Sequence, residues 1–347
     1  MSRPQTQAAA PPVLQVRDLA ITFNTRAGPV RAVSDVNFEI ARGETLAIVG
    51  ESGSGKSVTS LAMLRLLPGA PFCDVSGQVL LSHDGQQTDL VTCSTAEMRG
   101  IRGRHASIVF QEPMTSLNPV HTAGTQIAES IRRHMGLGQR AAMERAIELL
   151  DLVGIPDPRS RAASFPHEMS GGMRQRVMIA LALACDPSLL IADEPTTALD
   201  VTIQAQIIEL MKEIQARTDL AIIFITHNLG VVADVADKVM VMYAGSPVET
   251  APVADLFERP LMPYTRGLLQ SVPRITFSAS RGQPLPAIRG TVPSPLALPK
   301  GCSFGPRCDW FLSGTCDAGT PLLQSVQRGH DVRCHRCETI LQESAIQ

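Results

Sequence analysis

The stretch Gly50-Glu51-Ser52-Gly53-Ser54-Gly55-Lys56-Ser57 matches the phosphate-loop pattern G-x-x-x-x-G-K-[ST] at every fixed position, and its flanks decide the fold. Ahead of it, Glu44 to Val49 reads as a short apolar strand; behind it, Ser57 to Leu67 reads as an amphipathic helix without Gly or Pro. Strand, loop and helix in that order aim backbone N–H groups and a positive helix end at an anion. Glycines let the backbone wrap closely, because a side chain there would clash or require a forbidden φ. Lys56 adds a positive charge and Ser57 an oxygen ligand for Mg²⁺. The expected occupant is a nucleoside triphosphate.

Further along, Leu189 to Ala192 reads as a fully buried strand that delivers Asp193 and Glu194 at its C-terminal end, where ligands meet parallel sheets. Two adjacent carboxylates there suit a Mg²⁺ partner and a base for water. A second buried strand, Ala221 to Ile225, brings His227 to the same edge, and Ala106 to Phe110 ends in Gln111, whose amide can donate or accept toward Mg²⁺ or an attacking water. Ser170-Gly171-Gly172 opens an uninterrupted helix running to about Cys185, with Ser170 as its cap. The paired glycines cost about 1 kcal/mol each in helix propensity and leave a bare, anion-binding first turn.

The remaining chain fits around this centre. Val13 to Phe38 predicts antiparallel strands joined by a turn at Thr25 to Gly28, and Phe23, at a strand end, is a candidate to stack on an adenine ring. Gly77 to Asp89 predicts a hairpin turning at Asp84-Gly85. Thr125 to Val153 reads as a helical insertion with Ile127, Ile131, Met143, Ile147, Leu150 and Val153 inward, and Ile203 to Ile214 as another helix. Strands and helices alternating from Gly43 to Met242 give an α/β fold: a mainly parallel core sheet with helices on both faces, an antiparallel β subdomain and a helical subdomain. The expected division is a loose tail over 1–12, a nucleotide domain over 13–250 with its helical part near 112–170, and an extension over 251–347.

With 31 basic and 33 acidic residues the net charge of −2 offers no general attraction to nucleic acid or to an anionic membrane surface. No apolar run approaches the ~18–20 residues that span a bilayer, and the tail lacks a secretory pattern. A reducing, cytoplasmic setting follows, in which eight cysteines mean metal binding or burial rather than disulfides.

In order and spacing, the phosphate loop, Gln111, Ser170-Gly171-Gly172-Met173, Leu189 to Glu194, Ala198-Leu199-Asp200 and His227 resemble the ATP-binding-cassette (ABC) ATPases across roughly Val13 to Thr250. Phe110 to Pro119, Met173 to Ala180 and Ala192 to Asp200 resemble the energising subunits of oligopeptide and dipeptide importers within that family. The resemblance implies head-to-tail cassettes in which ATP lies between one subunit's phosphate loop and the other's signature helix. By position, Lys56 and the loop amides would hold phosphates, and Ser57, Gln111 and Asp193 would serve Mg²⁺. Glu194 would polarise water, His227 and Gln111 would sense the γ-phosphate, and Ser170 to Gly172 and Asp200 would belong to the nucleotide interface. It further implies a second, non-identical cassette, two transmembrane permease subunits met through Gln111 and Glu112 to Pro119, and an extracytoplasmic solute-binding protein. The chain would then lie peripherally on the cytoplasmic face of the inner membrane. Nickel, glutathione and antibiotic-peptide importers use related subunits, and a soluble, non-transport cassette ATPase is the remaining alternative.

After Thr250 the composition turns Pro-rich, predicting an extended segment through Pro252, Pro260, Pro263, Pro273, Pro284, Pro286, Pro293, Pro295 and Pro299. Cys302-x5-Cys308-x7-Cys316-x17-Cys334, with Pro306-Arg307-Cys308, resembles the C-terminal extension of peptide-importer ATPases. In that family His commonly precedes the Pro-Tyr-Thr found here at Pro263; this chain has Met262. Four thiolates on a loop-rich scaffold suit a [4Fe–4S] cluster, with Zn²⁺ or free packed thiols as alternatives. Cys337 is an alternative fourth ligand, and His330 and His335 are weaker ones. Cys73, Cys93 and Cys185 read as small buried residues.

Overall fold

The computed structural model describes residues 11–111, 116–197, 199–272 and 287–344. Its strands are β1 (Leu14–Thr25), β2 (Gly28–Ile40), β3 (Thr45–Val49), β4 (Cys73–His83), β5 (Gln86–Asp89), β6 (Ala106–Val109), β7 (Leu189–Asp193), β8 (Ala221–Thr226), β9 (Lys238–Tyr243), β10 (Ser246–Pro252), β11 (Gln324–Gln327) and β12 (His330–Val332). They form a four-stranded sheet ordered β2-β1-β4-β5 and an eight-stranded sheet ordered β11-β12-β10-β9-β3-β8-β7-β6. From β9 to β6 the pairing is parallel, whereas β10, β12 and β11 add antiparallel strands.

Strands β3, β7 and β8 are buried along their whole length, as continuous apolar runs in parallel sheets require. Successive residues face opposite layers. Leu189 and Ile191 join a cluster with Val16, Ile21 and Val79 of the antiparallel sheet, while Leu190 and Ala192 join one with Ile127, Leu150 and Val177 of the helices. One face is therefore covered chiefly by the antiparallel sheet, together with helices Lys56–Met63 and Thr95–Ile101, rather than by helices alone.

Several element ends differ from the sequence expectation. The helix after the phosphate loop stops at Met63, short of Leu67: Leu66 N–H bonds to Leu61 O and Arg65 N–H to Ala62 O, with Arg65 left-handed at φ 50°. The signature helix spans Gly171–Ala182 and stops short of Cys185. The next helix is longer than predicted, Val201–Thr218. The helical insertion is two helices, Ala123–Met135 and Gln139–Leu152, broken where Gly136 turns left-handed at φ 69°. Ile127, Ile131, Leu150 and Val153 are buried, and Met143 and Ile147 pack against the same cluster that reaches β7 and β8.

The Pro-rich segment is not uniformly extended. Pro252 precedes the helix Val253–Glu258, and Pro263 sits in the first turn of the helix Pro263–Gln270, where its missing N–H costs nothing. Pro273, Pro284 and Pro286 lie outside the described residues. Nor does the compositional shift at Thr250 break the sheet, because β12 pairs with β10 at Glu249↔Val332 and Thr250↔Asp331. Met262 is buried in the cluster formed around Tyr243, Tyr264 and Phe304. Those three rings pack with centroids 4.7, 5.3 and 5.4 Å apart.

Glu249 fastens this region from inside. Fully buried, it accepts N–H bonds from Leu261 (2.7 Å) and Met262 (3.1 Å), and its Oε1 lies 2.8 Å from His330 Nε2. Removing the carboxylate strands three polar groups in the interior. Glu249→Ala is expected to destabilise the protein by about 3 kcal/mol, read as a lowered melting temperature by circular dichroism.

Candidate functional site

The phosphate loop is built by close approach. A Cβ at Gly50 would lie 2.2 Å from Met242 O at the end of β9, and one at Gly55 would lie 3.0 Å from Ala32 O of β2. Gly50, Gly53 and Gly55 all take positive φ, at 149°, 78° and 101°. Lys56 folds back so that Nζ donates to Gly50 O (2.8 Å) and Glu51 O (3.1 Å). Burial lowers its pKa, against the raising pull of Glu194, Asp193 and Glu51. The Ser54 hydroxyl is buried without a hydrogen-bond partner, and Ser52 and Gly53 are exposed. A cation folded onto its own loop carbonyls beneath an exposed, glycine-rich loop tip is a cradle suited to an anion.

At the sheet edge, Asp193 Oδ1 accepts from Ser57 Oγ at 3.2 Å and Oδ2 from Ser60 Oγ at 3.2 Å. Burial raises the Asp193 pKa, and the two hydroxyl donors oppose the rise. Glu194 follows in a left-handed conformation, φ 48°, with its N–H on Ile225 O. Its Oε2 collects three groups: Gln111 Nε2 at 3.1 Å, Thr197 Oγ1 at 2.9 Å and His227 Nδ1 at 3.3 Å. The His227 side chain is 62% exposed and that of Glu194 14%, so the pair sits at a rim open to a ligand. Lys56, Ser57, Asp193, Glu194, Gln111 and His227 thus converge although they come from four separate segments.

Ser170 Oγ accepts from Met173 N (3.3 Å) and caps its helix; Ser170 and Gly171 are exposed, and a Cβ on Gly172 would meet Ile203 at 3.0 Å. Asp200 is an exposed N-cap of the helix Val201–Thr218, and Phe23 is half-buried against the cluster under the antiparallel sheet. Ala198 and Glu112 to Thr115 lie outside the described residues. Sequence reasoning missed Ser60, one helical turn after Ser57, and Thr197, three residues after Glu194. It also missed two groups from the extension. Tyr264 Oη accepts the Glu51 N–H at 2.8 Å, and Arg307 holds the Glu51 carboxylate with two bonds of 2.6 and 3.0 Å.

In the extension, Cys302, Cys308, Cys316 and Cys334 line one small cavity with Met262, Trp310 and Phe311. Burial pushes the Cys308 thiol up to about 11 and the Cys334 thiol to about 12, and raises Cys302 as well. Thiols so placed become thiolates only when a cation compensates them. The other candidates are engaged elsewhere: Cys337 Sγ accepts from Gln324 Nε2 (2.8 Å), His330 faces Glu249, and His335 Nε2 lies 2.9 Å from Gly319 O. Cys73 and Cys185 are buried and Cys93 half-buried. Among the described residues, the donors that gather within 4.8 Å of one another are those of His83, Asp84 and His105, not the cysteine sulfurs. The His83 and His105 rings stack at 4.5 Å and 28°, so their in-plane lone pairs do not converge on one ion.

The family described as ABC transporter matches residues 33–197, and that described as oligopeptide/dipeptide transporter, C-terminal region, matches residues 248–316. The oligopeptide transport ATP-binding protein OppD of Bacillus subtilis is 53% identical over 312 residues, covering 90% of this chain and 86% of that one. The dipeptide transport ATP-binding protein DppD of the same organism is 50% identical over 322 residues, covering 93% and 94%. Among solved structures, the dimeric post-hydrolysis state of the ATP-binding cassette MJ0796 bound to ADP and Pi aligns with a TM-score of 0.61 at 25% identity. That alignment covers 69% of this chain and 98% of the cassette.

The loop geometry separates two glycines experimentally. Gly50→Ala drives a Cβ into Met242 O and is expected to cost about 3 kcal/mol and to weaken nucleotide binding, whereas Gly53→Ala, with open space around it, costs about 1 kcal/mol for its positive φ. Thermal melting and titration with a fluorescent ATP analogue read both.

Proposed function

The chain belongs to the ABC transporter ATPases, in their oligopeptide/dipeptide branch, and on that premise we propose how its residues bind ATP and cleave it. It is the ATP-hydrolysing subunit of a peptide importer. The observation that carries the residue assignment is the convergence on Glu194 Oε2 of Gln111, Thr197 and His227, directly beside Asp193 and within electrostatic reach of Lys56.

In this reading Lys56 leaves its loop carbonyls and, with the loop N–H groups, holds the phosphates. Ser57 Oγ and Asp193 are hard oxygen donors 3.2 Å apart and would hold Mg²⁺, with Gln111 beside them; the ion's part is to neutralise phosphate charge. Glu194 accepts the proton of the attacking water, oriented by Thr197 and Gln111. His227, exposed on one side and with Nδ1 3.3 Å from Glu194 Oε2 on the other, contacts the γ-phosphate. Phosphoryl transfer asks mainly for charge neutralisation and a positioned water, and these groups supply both. Phe23 offers a partly exposed ring to the base.

The bare start of the signature helix, Ser170 to Gly172, faces outward, as does Asp200, so each chain offers half of a shared nucleotide site to a second cassette. The solved MJ0796 cassette is dimeric with ADP and Pi, which supports that arrangement. In our reading the second cassette is a non-identical subunit. Phe110 and Val120, large apolar residues 38% and 72% exposed on either side of Glu112 to Pro119, suit docking against two membrane permease subunits, which a solute-binding protein supplies from outside. No helix among the described residues is long and apolar enough to cross a membrane, and peripheral attachment to its cytoplasmic face follows from the permease contact.

The four cysteines that share a cavity would hold a metal centre. Four thiolates on a loop-rich scaffold suit a [4Fe–4S] cluster, which is our reading, with Zn²⁺ as the alternative.

Glu194→Gln is expected to lower phosphate release by at least ~100-fold while ATP still binds; turnover at the wild-type rate would remove Glu194 from its role. Protein purified without oxygen is expected to be brown and to carry about four irons, by absorbance and metal analysis, and Cys308→Ser to lose them. A colourless, iron-free wild type would refute the cluster.

A further inference from the structure

The phosphate loop and the cysteine-bearing turn are far apart in sequence but joined by one side chain. Arg307 stands between Cys302 and Cys308, in a tight turn fixed by Gly305 N–H to Cys302 O (2.9 Å), Arg307 N–H to Phe304 O (2.9 Å) and Cys308 N–H to Gly305 O (3.1 Å). Its guanidinium is only 5% exposed. It clasps both oxygens of Glu51, donates from Nε to Arg289 O (2.8 Å), and lies over the rings of Tyr243 and Phe304, each 5.8 Å to the centroid. A planar fork bonded twice and stacked on aromatics is a geometry that Lys cannot reproduce.

Glu51 is a half-buried acid in the middle of the phosphate loop. It is a carboxylate inside a loop suited to an anion, and it lies close enough to Lys56 to oppose, after Glu194 and Asp193, the lowering of that ammonium's pKa by burial. Arg307 pairs with both of its oxygens, while the buried Tyr264 hydroxyl accepts its N–H. The loop's electrostatics therefore depend on a residue whose own backbone is shaped by the turn between two cysteines.

We propose that the C-terminal extension regulates nucleotide binding through Arg307: with the Cys302–Cys308 turn folded around its metal centre, Arg307 masks Glu51, and with the turn loosened a bare carboxylate opposes the incoming phosphates. This rests on the nucleotide-binding reading above. Arg307 and Tyr264 are positioning residues, since both act on the loop rather than on the reacting atoms. Removal of the metal by a chelator then lowers ATP affinity without altering any residue that meets the triphosphate.

The test uses the full chain, purified without oxygen, with metal content measured beside the dissociation constant of a fluorescent ATP analogue. Arg307→Met is expected to weaken binding ~10-fold, and Arg307→Lys to restore little of it. Adding Glu51→Gln to Arg307→Met is expected to recover most of the loss, whether or not the metal remains, because the offending charge is gone. Stripping the metal from the wild type is expected to match Arg307→Met, and stripping it from the double variant to change nothing further. The proposal falls if metal-loaded Arg307→Met binds like the wild type, if the double variant binds no better than Arg307→Met, or if stripping the wild type leaves affinity unchanged. A wild-type chain that binds no nucleotide in either state would instead overturn the functional reading on which the proposal rests.

Discussion

Everything in this molecule depends on the packing of Gly50 against the main-chain oxygen of Met242, where the first core strand turns into the phosphate loop. With no side chain at that point, the loop leaves β3 at a steep angle and still stays in contact with β9, its neighbour in the sheet. The Ser54 carbonyl accepts the Gly245 N–H on the far side, so the loop is pinned to the sheet rather than hanging from it. The parallel register then brings the ends of β7 and β8 to the same edge, and with them Asp193, Glu194 and His227. The geometry of the candidate site is a by-product of strand register, which a fully buried apolar sheet holds more firmly than a loop could.

Much of this was legible because the relevant signals are local. A phosphate loop carries its own glycines, lysine and serine, and a carboxylate pair directly behind an apolar strand can only emerge at that strand's end. What could not be read is what folding brings together across long separations. Arg307 and Glu51 are 256 positions apart, and nothing in the neighbourhood of either announces the other. The helix ends were misjudged for a different reason. Apolar periodicity continues past Met63 through Leu64, Leu66 and Leu67, yet Arg65 adopts a left-handed conformation that ends the helix, a choice set by tertiary packing rather than by propensity. The prolines after Thr250 misled similarly, since a proline in the first turn of a helix and one in an extended chain look alike in sequence.

The apolar clusters show how one sheet serves three neighbours. Alternating residues of β7 and β8 feed the helices on one side and the antiparallel sheet on the other, while Ala47, Val49, Val239 and Val241 of β3 and β9 are shared with the extension. The extension is thus packed onto the two strands that carry the phosphate loop and its abutment. That placement explains how a segment recognised by its cysteines comes to touch the nucleotide site at all.

The same continuity decides where the sheet stops. Were the chain cut near Thr250, β10 would become a bare border, with the amide and carbonyl groups that now pair with β12 left available to any passing strand. In the intact protein that border is occupied first by β12 and finally by β11, four residues of the sequence Gln-Ser-Val-Gln, too short and too polar to recruit a stranger. The cysteine-bearing segment therefore also acts as the hem of the fold, keeping an energy-converting subunit from sticking to copies of itself.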